Sequence, residues 1–380
     1  MFLKKRPLSL ILIILTTLMG SCTKEDTSDC FSGLKLRFSF TLHNNGGNKF
    51  GDEVNMVRVY MFDEHGTLQL KAQDDTRTLT YSYLQDGLIK TVSVPNASGA
   101  LLNNYVMNLN IPPGKYKVVA WGGSSREIES TFFDAHMNDP ITHNYQVGVT
   151  LGVTQMEDFR MFMKYIDIPD LPEDIMPIVP EIDDLWYGAY GTRNEPTCKY
   201  TMEDIIIKSG EVTEGDIELI KNTNVLKVTI TGLENISASI GKVISPLNVW
   251  ITAANSRYKI DNSIGENVHS VRYTPYSEQI DTNKMLVHIK IMRIDLEKHT
   301  AEPMYLTIEN PVIGQRFPEQ PIDIVSTLMQ AKDARGNFIY NNQADFDREY
   351  EHPIEIKIDI DLQVRIFVRG WEVVTLNPEV

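Results

Sequence analysis

The chain has 380 residues, with 36 Lys and Arg against 51 Asp and Glu and a formal charge of −15 at pH 7. With no Lys/Arg run beyond its first few residues, so acidic a chain is repelled by phosphate backbones, which argues against a nucleic-acid partner. Its three cysteines show no Cys-x-x-Cys spacing and no His pair at ligand spacing, so no metal site and no cofactor is predicted.

Lys4, Lys5 and Arg6 precede an apolar run over residues 8–18, and Met19-Gly20-Ser21 brings small residues up to Cys22. The run falls well short of the ~20 apolar residues that span a bilayer, so residues 1–21 read as an export signal rather than a retained membrane helix. Cys22 after Gly20-Ser21 resembles a bacterial lipoprotein box, with Met19 where Leu is commoner. That resemblance implies a diacylated thiol, cleavage before Cys22 and an acylated new amino terminus; the plainer reading is an ordinary signal peptide with an incidental cysteine. Several acyl chains, at about 0.8 kcal/mol per buried methylene, hold a protein at a membrane without a helix. Lys24, Glu25 and Asp26 look like the short Lys-plus-acidic signal that sends Bacteroidota lipoproteins to the outside of the outer membrane, against the plainer reading of a solvated linker over residues 22–33.

Removal of residues 1–21 leaves 359 residues, 33 basic and 51 acidic, with a formal charge of −18. That length supports two sizeable cores, and that charge means that lipid, not electrostatic attraction, must supply any membrane attachment. Cys30 and Cys198 then remain in a compartment that permits disulfides, either stapling the start of the first domain to its end or standing as two buried thiols.

Strand patterns dominate the first half. Leu34, Leu36, Phe38, Phe40 and Leu42 alternate with Lys35, Arg37, Ser39 and Thr41, the pattern of a strand with one buried face. Residues 57–62 form a second apolar run, and Asp63-Glu64-His65-Gly66 is a turn signal before residues 67–70. Pro112-Pro113-Gly114 launches a strand over 116–121 that ends at Gly122-Gly123. Thr154 with Glu157 reads as a capping box, and Met156, Phe159, Phe162 and Met163 place an apolar stripe, so a short helix is expected here. Residues 167–180, rich in Pro and acids, are excluded from a central strand and read as a long loop across the end of the first sandwich.

A second strand-rich block begins near Ile217. Leu226, Val228 and Ile230 alternate, residues 249–253 form an apolar run, and Val287, Ile289 and Ile291 alternate again. Ile322, Val325, Leu328 and Met329 after Pro321 fit an amphipathic helix. Ile354, Ile356, Ile358, Ile360 and Leu362 alternate with charged residues, and residues 364–368 form a further strand before Gly370-Trp371. The expectation is mainly β: two consecutive sandwich domains, 34–208 and 209–380, each with a short helix.

The order of these features resembles the FimB-type fimbrial anchoring-subunit family of Bacteroidota, lipoproteins at the base of type V pili. The residues that carry it are Cys22-Thr23-Lys24-Glu25-Asp26, Asp29-Cys30, the strand over 34–40, and Val57-Arg58-Val59-Tyr60-Met61-Phe62-Asp63-Glu64-His65-Gly66. They continue through Ile111-Pro112-Pro113-Gly114-Lys115-Tyr116, Val119-Ala120-Trp121-Gly122-Gly123 and Asp184-Leu185-Trp186-Tyr187-Gly188, with Trp186-Tyr187 where the family usually has Tyr-His. Residues 322–328, 346–362 and Gly370-Trp371-Glu372-Val373-Val374 complete it. The resemblance implies two transthyretin-like β-sandwiches, attachment of a fimbria to the outer membrane through a shaft subunit, and control of fimbrial length or release.

Subunits of this class join by strand addition, in which backbone hydrogen bonds supply affinity and alternate side chains supply register. The resemblance puts the coupling segment in the C-terminal strands, at Val364, Ile366, Val368, Trp371 and Val373; the plainer reading is that these are internal strands of the second sandwich. Two other functions fit the same leader: a surface glycan-binding or nutrient-uptake lipoprotein, with Trp121, Trp186, Tyr187, Trp250 and Trp371 as stacking platforms, and a fimbrial tip adhesin. An enzyme is not expected, since Gly-x-Ser-x-Gly and His-Glu-x-x-His are missing, and no small-molecule substrate is predicted. Asp359 and Asp361 read as the solvated face of a strand. Residues 261–266 resemble part of a calcium loop, but with Gly at the wrong position, so they read as a turn.

Overall fold

The structure, a computed structural model, describes residues 33–41, 47–125, 131–139, 144–164, 176–179, 181–194, 197–240, 246–265 and 270–376. The leader, Cys22, Lys24, Glu25, Asp26 and Cys30 lie outside the described residues.

The first half carries β1 (Gly33–Phe40), β2 (Met56–Asp63), β3 (Leu68–Asp74), β4 (Thr78–Gln85), β5 (Leu88–Pro95), β6 (Val106–Leu109), β7 (Gly114–Gly123), β8 (Phe132–Asp139), β9 (Asn144–Val147) and β10 (Phe159–Met163). It continues with β11 (Ile178–Val179), β12 (Leu185–Ala189), β13 (Gly191–Asn194), β14 (Lys199–Met202), β15 (Asp204–Ile207) and β16 (Val212–Lys221). The second half carries β17 (Thr223–Thr231), β18 (Asn248–Ala253), β19 (Arg257–Lys259), β20 (Val271–Tyr273), β21 (Ser277–Ile280), β22 (Lys284–Met292), β23 (Tyr305–Asn310), β24 (Gln315–Arg316), β25 (Ile322–Asp323), β26 (Glu351–Ile358), β27 (Val364–Val368) and β28 (Trp371–Leu376). The protein is mainly β, as expected.

Ten strands join in the order β5-β4-β3-β2-β7-β12-β16-β1-β6, with β15 on β7. This array closes over itself, because Phe38 and Ile217 share one core with Val59, Leu70, Tyr81, Met107 and Val118. β1 follows its predicted alternation, with Leu34, Leu36, Phe38 and Phe40 buried. β2 and β7 are buried on both faces: Val57, Val59 and Met61 face that core, while Tyr60, Phe62 and Trp121 face a second one under the sheet β19-β10-β8-β9. Burial on two sides explains why residues 56–62 form a near-continuous apolar run rather than an alternating one. Its one charge, Arg58, is buried with Asp134 of β8 at 4.0 Å.

The helix expected from Thr154 and Glu157 is not formed. Met156–Asp158 make a single 3-10 turn without a side-chain cap, and β10 follows at once with all five residues buried. The Thr154 hydroxyl accepts from the amide of Thr150 instead. A Met/Phe run covered on both faces satisfies helical spacing and strand burial alike, so periodicity alone could not separate them.

The second sandwich sets the sheet β21-β22-β17-β26-β27-β28 against β11-β20-β18-β23-β24, with β25 on β23. Val228, Ile289, Ile356 and Ile366 pack in one core with Ile251 and Leu306. The expected helix after Pro321 is Ile324–Met329, capped by the Asp323 carboxylate accepting from Ser326 N at 2.9 Å. The strand expected to run on to Leu362 stops at Ile358. Asp359 N donates to Gln363 O, Leu362 has φ +62°, and Ile360 stands 85% exposed at the turn.

The boundary expected at 208/209 cuts through strands that pair as one unit. β16 runs parallel to β1, from Gly33 opposite Val212 to Phe40 opposite Leu219, and antiparallel to β12. The next strand, β17, pairs only with β22 and β26 of the second sheet. The hand-over falls on Asn222, where the amide donates to Leu185 O of the first unit and the carbonyl accepts from Arg293 N of the second.

Candidate functional site

Val364, Ile366 and Val368 are 2%, 0% and 0% exposed and point into the core of the second sandwich. Their strand, β27, pairs on one side with β26 and on the other with β28, so it is an internal strand and not a free donor. Among the described residues, β28 is the edge strand on that side of the sheet. Trp371 at its start is 44% exposed, while Val373, Val374 and Leu376 rest partly buried against the core. The segment thus divides into a buried strand and an edge strand, each fixed by alternation and register.

The edge and the start of the first described strand lie in different sandwiches. Leu376 pairs with Val364 and Val364 with Ile358, at the Thr231 end of β17, whereas Gly33 sits beside Val212 at the start of β16. From Val212 to Thr231 the chain runs through β16, Asn222 and β17. At 3.3 Å per residue this is roughly 60 Å of contour.

The junction on that path is dense in polar contacts. Asn222 and Asn262 exchange side-chain hydrogen bonds at 2.5 and 3.1 Å, both fully or almost fully buried. Asn262 sits at φ +67°, a conformation that Asn tolerates better than most residues. The segment read as a turn near Asp261 therefore closes the junction, which its sequence does not announce. Burial alone would raise the Asp184 pKa, but Lys221 and Lys290, 3.0 and 3.3 Å away, outweigh it and hold the carboxyl below its ordinary range. Those two lysines come from opposite sides of Asn222. Arg293 clamps Asp347 through two bonds of 2.7 Å, and Tyr187 donates to Ile260 O at 2.6 Å. Two β pairings add to this, β10 with β19 and β11 with β20.

His352, on β26, is completely buried. Asn224 Nδ2 lies 3.3 Å from its Nε2 and Tyr340 Oη lies 3.1 Å from its Nδ1. Because the Asn224 amide nitrogen donates, Nε2 must accept, and the ring is neutral with its proton on Nδ1. Burial lowers its pKa from 6.5 to about 4. The unfolded chain therefore takes up a proton below pH 6.5 that the folded chain refuses. Stability present above pH 6.5 is lost as pH falls toward 4, by roughly 3 kcal/mol over that window. Denaturant midpoints at pH 7 and 4.5 are expected to differ accordingly, and His352→Gln is expected to flatten that slope; an equal acid loss in the variant would assign it to other groups.

Of the aromatics considered as sugar platforms, Trp121, Trp186 and Tyr187 are 0% exposed and Trp250 is 8% exposed, so these four are core residues. Trp371 alone among them reaches solvent. Cys198 is buried at φ +55°, and its expected partner Cys30 lies outside the described residues. Asp359 and Asp361, expected on the solvated face of a strand, lie instead in the turn after Ile358, where Asp359 is held by Arg365 at 2.8 Å and Asp361 is exposed.

Residues 27–377 match the family model Mfa2, described as fimbrillin-A associated anchor proteins Mfa1 and Mfa2. No curated protein matches the chain in sequence. Among solved structures the chain is similar to the fimbrial anchor protein Mfa2 of Porphyromonas gingivalis, with 14% identity and a TM-score of 0.54 over 91% of this chain and 100% of that one. It is similar to a candidate polysaccharide-binding protein of Bacteroides thetaiotaomicron, with 17% identity and a TM-score of 0.61 over 90% and 97% of the two chains. A candidate adhesin of Bacteroides ovatus gives 17% identity and a TM-score of 0.61 over 92% and 96%. At these identities the likeness is one of fold.

Proposed function

Because the chain belongs to the Mfa2 family of fimbrillin-A associated anchor proteins, we propose that it is an outer-membrane lipoprotein that holds a fimbria to the cell surface. Cys22 is the lipid foot, and Lys24, Glu25 and Asp26 direct it to the outer face. A shaft subunit couples by adding an extended strand to the open edge of β28, with Trp371 and Val373 at the contact. Capping the shaft in this way also limits fimbrial length. The observation that carries this reading is the separation of the two ends: the N-terminal segment enters beside Val212, and the open edge lies beyond Asn222 in the second sandwich. We place the domain boundary at Asn222 and keep Cys30–Cys198 as a candidate bridge, to be decided by peptide mapping without reductant.

The test is position. Immunogold labelling is expected at fimbrial bases, and a shaft protein is expected to co-purify with the solubilised lipoprotein. Label confined to fimbrial tips would replace the anchor by a tip adhesin, and glycan binding lost on Trp371→Ala with no shaft protein bound would favour a glycan-binding lipoprotein.

A further inference from the structure

We propose that the end of the first sandwich where the N-terminal segment enters is a membrane-facing surface that rests on a phospholipid bilayer. The inference rests on the reading of Cys22 as a lipid foot for its orientation, and on the surface itself for its chemistry. Gly33, the first described residue, pairs with Val212 and neighbours Leu109. It stands eleven positions after Cys22, a leash that reaches at most roughly 40 Å when fully extended. The tethered end is therefore always near the bilayer.

That end displays aliphatic side chains at turns. Leu88 and Ile89, just after the Asp86-Gly87 turn, are 67% and 59% exposed; Val153 and Ile206 are each 58% exposed, and Val212 is 41% exposed. Their registers place them at one end of the sheet, that of the start of β7, spread across the strands: Ile206 lies opposite Lys115, Phe62 links Lys117 to Leu68, Leu70 lies opposite Tyr83, and Gln85 opposite Leu88 on β5. Val153 is brought there by the Gly152 amide, which donates to Leu68 O. Ile89 and Leu151 also line one cavity of about 540 Å³ that continues along β3 and β4. Single exposed aliphatics are ordinary on any protein, but a group of them at one end marks an interaction surface.

The neighbouring charges select the kind of surface. Lys115 and Lys117 both bind Asp204, at 2.9 and 3.0 Å, and Lys208 pairs with Glu211 at 3.4 Å. Lys90, beside Ile89, donates to the neutral Gln85 at 2.7 Å; with the other three lysines neutralised inside the protein, this end has no basic patch for an anionic lipid headgroup, and the whole chain is strongly acidic. Shallow insertion of aliphatic turns into a neutral, zwitterionic interface remains, and it acts together with the acyl chains. A base that rests on the bilayer resists tilting, which a leash alone does not.

Leu88→Trp, Ile206→Trp and, at the opposite end, Ile360→Trp test this in the full-length lipidated protein. Each variant is reconstituted into phosphatidylcholine vesicles with and without bromine on the acyl chains. The indoles added at 88 and 206 are expected to lose roughly half their emission in the brominated vesicles, as interfacial side chains do, and the one at 360 is expected to lose none. A second measurement uses the unlipidated mature chain carrying Cys22→Ala. Its weak binding to phosphatidylcholine vesicles is expected to drop roughly tenfold when Leu88→Ser, Ile89→Ser and Ile206→Ser are combined. Unquenched indoles at both 88 and 206 overturn the surface whatever the state of Cys22. Quenched indoles on a protein whose mass shows no acylation sink the lipid foot and leave the surface standing.

Discussion

Cys22→Ala is expected to move the protein from the membrane fraction to the soluble fraction and to shed fimbriae into the medium, with the fold unchanged. A single acyl chain holds a protein only marginally, at an association constant of about 10⁴ M⁻¹, and stable anchoring needs a second. Removing the thiol removes the site of acylation and leaves only the weak contact of the protein's own surface. Cys22 lies outside the described residues, before the first described strand at Gly33, and thermal midpoints are expected to match. Fractionation with a count of cell-bound fimbriae checks the result; wild-type retention by Cys22→Ala would end the anchor reading and leave family membership intact.

Two truncations at the other end are expected to part company sharply. Deleting residues 364–380 removes Val364, Ile366 and Val368, which are all but completely buried. Losing buried aliphatic side chains costs about 2–5 kcal/mol each, and three of them rival the whole 5–15 kcal/mol stability of an ordinary domain. The second sandwich is therefore expected not to fold. Deleting residues 371–380 instead removes only the edge strand β28 and leaves β27 paired with β26. That shorter chain is expected to remain a folded lipoprotein at lower stability and to lose most cell-bound fimbriae. Circular dichroism and fimbrial counts on both variants separate structure from coupling. Normal fimbrial retention by the 371–380 deletion would move the coupling site away from β28.

On the anchor reading proposed above, force entering at β28 would cross to β17 through the β26–β27–β28 ladders and pass Asn222 to β16 and β1. The reciprocal Asn222–Asn262 contact, the Asp184 cluster and the β10–β19 and β11–β20 pairings tie the two sandwiches together beside that path and oppose hinging there.

How far the sequence carried the fold depended on what each pattern measured. Alternation in residues 34–40 and 354–358 reports one buried face directly, and both strands are found as read. It reports nothing about where a strand stops: Ile360 continued the pattern to the eye but stands at a tight turn, because Asp359 and Gln363 close a local hydrogen bond there. The Met/Phe run at 156–163 failed for the opposite reason, since a strand covered on both faces carries no period of its own. The hairpin β4–β5 passed unread because its outer strand is almost wholly exposed.

By itself the sequence determined the mainly β class and the order of motifs that marks the family, and it raised the expectation of an export leader, an acylated Cys22 and coupling through the C-terminal strands. Each of these is a local pattern or a sum over composition. Only the tertiary structure decided which C-terminal strand is core and which is edge, where one sandwich ends, that Asn222 meets Asn262 at the seam, and that His352 is buried against Asn224. These depend on partners 40 to 128 residues away. Strand pairing and burial are set by such distant contacts, and one chain's local periodicity does not record them.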